Sequence, residues 1–275
     1  VATLVGRDLD VGATITGTLN TTQVNAVLAI TNYTGNLTAT LSGSNSDLNS
    51  LNSTTDDTVN ITVTDGVSIA NITTLEGKTS GSLTFSSGIA DTLANLAPSG
   101  TVNNNITGAV TVTASGTLST STHVTHLDAV RAATTGAVTA TLSGTLTVLK
   151  ELNANGGSDA LTITISDTFN PATATNVTHI NTVKASTSGT ITIASINGTA
   201  AVLSALSTGT SDPLTLTVNN TATVAQGKAI AVATSAATVD FSTGGITDDL
   251  SNLRDASSIN ADLTSIKNKD TDIIV

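Results

Sequence analysis

The chain has 275 residues, 39% hydrophobic, 11% charged and only 1% aromatic, with no Cys, Met or Trp. Lack of Cys excludes disulfides and thiolate metal sites. The net charge of −11, with nine scattered Lys and Arg, argues against nucleic acid and anionic membrane surfaces as partners. No apolar run approaches the roughly 18 residues of a membrane span. A mean hydropathy of +0.24 is not the weakly apolar, highly charged profile of disorder.

Taken in order, the chain alternates between two half-units. One half supplies ATITG (Ala13–Gly17), VNITVTD (Val59–Asp65), VTVTASG (Val110–Gly116), LTITISD (Leu161–Asp167) and LTLTVNN (Leu214–Asn220). Four are followed by apolar residues three apart, such as Val24/Val27/Ile30, Val124/Leu127/Val130 and Val177/Ile180/Val183, and in the fifth, Val224/Gly227/Ile230, the pattern is degenerate. The other half opens on a small-residue marker at Gly35, Gly81, Gly136, Gly189 and Ala236, spaced by 46, 55, 53 and 47 residues. After the markers come LTATLSG (Leu37–Gly43), SLTFSSG (Ser82–Gly88), VTATLSG (Val138–Gly144), TITIAS (Thr190–Ser195) and TVDFSTG (Thr238–Gly244). Leu pairs follow: Leu48/Leu51, Leu93/Leu96, Leu149/Leu152, Leu203/Leu206 and Leu250/Leu253.

Alternation of apolar residues with Thr or Ser is the period of a half-buried strand. Spacing by three suits one face of a short helix. The pattern predicts ten strands in a parallel β-solenoid, with a strand plus short helix or coil in each coil of roughly 22–30 residues. An all-β right-handed β-helix is the alternative. The inward residues are expected to be Leu37, Val59, Ile61, Val110, Val112, Val138, Leu161, Ile163, Ile191, Ile193, Leu214 and Leu216. One array is expected over residues 1–254, and 255–275 departs from the pattern as a cap or assembly segment. Val1 without an initiator Met suggests a processed protein or a segment of a longer one.

The TTG/TSG markers, the Thr-rich alternating strands and the following Leu pairs resemble Thr/Ser-rich repeat arrays of large secreted bacterial surface proteins, cyanobacterial ones especially. The resemblance runs from about Ala13 to Leu253 and implies an extracellular or cell-surface location with a structural or adhesive role. Such proteins often carry calcium-binding GGxGxD repeats; this chain has none, so that function is not carried over.

Candidate chemistry is sparse. His126 and His179 occupy matching places in two half-units, and His123 lies nearby, but no carboxylate recurs beside them, so solvent-facing polar positions are the better reading than metal ligands. Asp65 and Asp167 end strands where Gly116 and Asn219 or Asn220 stand in other copies; turn formation explains this better than a calcium ladder, which needs dense oxygen ligands. Asp56/Asp57 read as loop charges and Asp248/Asp249 as helix-start charges. Glu76 and Glu151 are isolated, and no GxSxG, HExxH, P-loop or GxGxxG followed by a helix is present. The reading is therefore non-enzymatic, with no catalytic residue, cofactor or metal.

The expected function is an extracellular structural module of a bacterial surface protein, filament or matrix that associates end to end. The alternative is an adhesin-like module binding glycan, ice or a crystal surface through a Thr-lined face. Partners are copies of itself or flanking repeats, and glycans, bound or attached at sequons such as Asn20, Asn60 or Asn176. The apolar run Ile273, Ile274 and Val275 is the candidate assembly segment.

Overall fold

The computed structural model describes residues 12–30, 35–116, 119–154, 159–236, 238–241, 243–254 and 259–270. The strands are β1 (Ala13–Leu19), β2 (Leu37–Gly43), β3 (Thr58–Val63), β4 (Leu83–Phe85), β5 (Ile89–Thr92), β6 (Val112–Ser115), β7 (Val138–Gly144), β8 (Ala160–Ile165), β9 (Ile191–Gly198), β10 (Leu214–Val218) and β11 (Val239–Asp240). They form two all-parallel sheets, ordered β1-β2-β3-β4 and β11-β10-β9-β8-β7-β6-β5.

Helices fill the connections. Five run eight to thirteen residues: α1 (Thr21–Leu28), α3 (Ile69–Glu76), α5 (Ser121–Ala133), α7 (Ala174–Ala185) and α9 (Val224–Val232). Five are single turns of four residues: α2 (Asn45–Leu48), α4 (Leu93–Leu96), α6 (Leu146–Leu149), α8 (Ala200–Leu203) and α10 (Leu250–Leu253). The last helix, α11, spans Ala261–Lys267.

This corrects the expected fold class. The chain is not a β-solenoid, nor the all-β β-helix held as its alternative, and the solenoid-repeat description falls with it. It has an α/β layout in which two open parallel sheets, of four and seven strands, are interleaved with helices. The physical reason lies in the connections. Thr, Ser and Asn cap helix starts, and the apolar residues three apart lie along helices rather than on turns between further β-faces.

The alternation in the strands sorts side chains as a half-buried sheet requires. Leu37, Val59, Ile61, Val112, Val138, Leu161, Ile163, Ile191, Ile193, Leu214 and Leu216 are all at most 1% exposed. Val110 is the exception and is half-buried. From the helices, Ile72, Leu75, Leu127, Val130, Ile180 and Val183 are fully covered. The Leu pairs close the core as far as Leu203/Leu206, but Leu250 is 70% exposed.

Two compact units are present: residues Val1–Ser115 with Val130–Ala137, and residues Gly116–Ala129 with Val138–Val275. In the first, the strand expected over Ser82–Gly88 stops at Phe85. Gly88 takes a positive φ of 78°, and β5 begins one residue later. A Cβ at Gly88 would overlap the Thr111 backbone, so this break needs glycine. In the second unit the sheet proceeds through β7, β8, β9 and β10, with Leu142 opposite Ile163 and Ile163 opposite Ile191.

Candidate functional site

Among the described residues, the marker Thr side chains each engage several backbone groups. Thr79, Thr187 and Thr234 are at most 8% exposed. Each hydroxyl accepts the N–H at the start of a neighbouring strand: Val59 at 2.8 Å, Leu161 at 2.8 Å and Leu214 at 2.9 Å. It also accepts from the N–H two residues on, at Gly81, Gly189 and Ala236. Its own proton has the carbonyl of that same strand residue within 2.8 Å. Thr134 repeats the contact with the Val110 carbonyl and the Gly136 N–H. One hydroxyl thus satisfies several backbone groups that would be costly to leave unpaired. The Gly of the marker is explained too. A Cβ at Gly81, Gly136 or Gly189 would overlap the carbonyl of Val59, Val110 or Leu161.

The alternate strands use carboxylates for the same task. Asp57 accepts from Leu37 N, Asp159 from Val138 N and Asp212 from Ile191 N, all at 2.8 Å. Asp212 is fully buried, and its second oxygen accepts from Gly209 N, while Lys184 Nζ lies 3.1 Å from the first. A third series sits near the ends of β3, β5, β8 and β10 and, just after the isolated Ala222–Ile246 bridge, at Asp248. Asp65, Asp91, Asp167, Asn220 and Asp248 accept from the first N–H of α2, α3, α6, α8 and α9. Carboxylates there satisfy an orphan donor and complement the helix dipole. Hydrogen bonds from Asn252, Asp249 and Val224 hold the Asp248 carboxyl below its ordinary pKa of 3.8.

Asp65 and Asp167 therefore cap helices of the preceding segment rather than merely shaping turns. Asp57, expected as a loop charge, is a buried strand clip. His123 accepts from Ser119 N at 3.3 Å through Nδ1. His126 and His179 are half-buried on α5 and α7. His179 borders a shallow cleft of about 350 Å³ with Lys150, Asp167 and Asn176, but Asp167 there is engaged by the α6 cap. Among the described residues no three His, Asp or Glu side chains are grouped to hold a metal ion, and no helix is long and apolar enough to cross a membrane. Ile273, Ile274 and Val275 lie outside the described residues.

Two surfaces remain. On the outward face of the sheets, hydroxyl residues stand opposite one another in register: Thr38 by Thr58, Thr62 by Thr84, Thr141 by Thr162 and Thr164 by Thr192. In the first unit a cleft of about 380 Å³ opens between β4 and residues 104–110. Leu83, Thr84 and Phe85 form one wall, and Asn104, Ala109 and Val110 belong to the other. Sequence reasoning missed this cleft, because SLTFSSG reads as one unbroken strand. The only outward sign was the long 55-residue interval between Gly81 and Gly136. Among the described strands neither sheet reverses its order. Searches against family models, curated proteins and solved structures find no match.

Proposed function

We propose that this chain is a non-enzymatic structural module of an extracellular bacterial surface protein, filament or matrix. The observation that carries the reading is where its polar side chains are spent. Asp57, Asp159, Asp212, Thr79, Thr187 and Thr234 are buried and engaged by the chain's own backbone, and the strand-end carboxylates cap its own helices. A catalytic site needs such groups free and convergent. The extracellular assignment rests on the resemblance of the TSG-type markers and Thr-rich strands to secreted surface arrays. Antibody labelling of intact source cells tests it: surface label supports the assignment, and label only after permeabilisation overturns it. End-to-end association through Ile273–Val275 belongs to the same proposal. Deleting those three residues is expected to abolish concentration-dependent assembly in sedimentation, and unchanged assembly rejects that part.

A second reading, a binding module, is favoured by the in-register Thr pairs on the outward face. Reproducible binding on a glycan array, or inhibition of ice recrystallisation, would support it over the purely structural role.

A further inference from the structure

We infer that the cleft between the outer edge of β4 and residues 104–110 binds a polypeptide segment without acidic side chains, in extended conformation, which completes the interrupted sheet as an added strand. Along a parallel strand, the N–H and C=O of successive residues point to opposite neighbours. On β4 the direction is fixed by two bonds to β3: Ile61 N donates to Ser82 O at 2.8 Å, and Ser86 N donates to Val63 O at 3.0 Å. Residues 82, 84 and 86 therefore face β3, and Leu83 and Phe85 turn their peptide groups into the cleft. Phe85 O accepts from Gly88 N at 3.3 Å. Leu83 N–H and C=O and Phe85 N–H have no partner among the described residues.

The opposite wall presents the complementary set. Ile89 N donates to Thr111 O at 2.9 Å, whereas Val112 N donates to Ala137 O at 3.0 Å. By the same alternation, Ala109 turns its N–H and C=O toward β4, and it too is without a partner among the described residues. Ala109 is exposed. Beyond the cleft, β5, which follows β4 in the chain, pairs directly with β6, Ile89 lying opposite Val112.

The chemistry selects the ligand. No lining residue of the cleft is charged, and the chain carries −11, so an anionic ligand is disfavoured. The unmet groups recur every second residue, about 6.6 Å apart, which is the repeat of an extended peptide. Leu83 and Phe85 flank the opening as half-buried apolar contacts for alternate side chains. Strand addition to an open edge works in this way, with main-chain bonds giving affinity and alternate side chains giving selectivity.

The test is a nitrogen-15 NMR titration of the full chain with acetyl-TVTVT-amide, alongside the same peptide methylated on alternate amide nitrogens. The amides of Leu83, Phe85 and Ala109 should shift and saturate with the plain peptide. The methylated one should bind at least about tenfold more weakly, as expected when main-chain donors are removed. Ala109→Pro, which deletes one donor at an exposed position, should weaken the plain peptide by a similar factor; should that variant misfold, the peptide pair still decides. Absence of shifts at millimolar peptide overturns the inference. So does a methylated peptide less than tenfold weaker, or chitohexaose moving the same amides where the peptide does not.

Discussion

Thr234 shows how much one hydroxyl does in this chain. It is fully buried, accepts from Leu214 N and Ala236 N, and has the Leu214 and Asp212 carbonyls within reach. Thr234→Val keeps the shape but leaves these groups unsatisfied, and should lower stability by about 2–3 kcal/mol in urea unfolding. Thr162→Val, on the exposed face, should stay within about 0.5 kcal/mol of the unaltered chain. Gly189→Ala should cost about 1–3 kcal/mol by the same measurement, because its methyl would meet the Leu161 carbonyl. Asp212→Asn should cost about 3 kcal/mol, since Lys184 loses the carboxylate that balances its charge in a site where Asp212 is fully enclosed. The recurrence of the TSG marker was legible in the sequence. Its cause was not, because a hydroxyl bridging to a strand twenty or more residues away leaves no local signature.

At the scale of elements, strand positions were readable because Thr–apolar alternation has only one comfortable home, a sheet with one dry face. β2 and β7 coincide with the alternating windows Leu37–Gly43 and Val138–Gly144. The connections were harder. The pairs Val24/Val27 and Val177/Ile180, each spaced by three, fit either a turn or a helix, and the capping boxes at Asn20/Gln23, Thr173/Asn176 and Thr223/Gln226 decide for the helix. Helix α9 has a further cap from Asp248, whose carboxyl ionises below 3.8 in the folded chain. Its contribution is therefore fully present above 3.8 and is lost as pH falls from there through the lower folded value. The stability difference between the unaltered chain and Asp248→Asn should be constant at neutral pH and shrink below about pH 4. A difference that grows on acidification contradicts the assigned direction.

At the scale of the molecule, the regular spacing of the markers suggested one uninterrupted winding, and the structure instead divides eleven strands, among the described residues, into two open sheets. The division falls where Gly88 turns the chain and residues 98–107 add a 3-10 turn and loop before β6. Neither the φ of one glycine nor the path of a polar loop is encoded in hydrophobic periodicity. The structure supplies a use for the carboxylates and hydroxyls that sequence reading left as turns and loops. The central claim is that these side chains hold the sheets together. Hydrogen exchange measured amide by amide tests it most directly, on the unaltered chain and on Thr187→Val. The account predicts slow exchange at Val59, Leu161 and Leu214 in the unaltered chain, with Leu161 and Gly189 released selectively in the variant. Fast exchange at these amides in the unaltered chain, or equal rates at Leu161 in both, would contradict it.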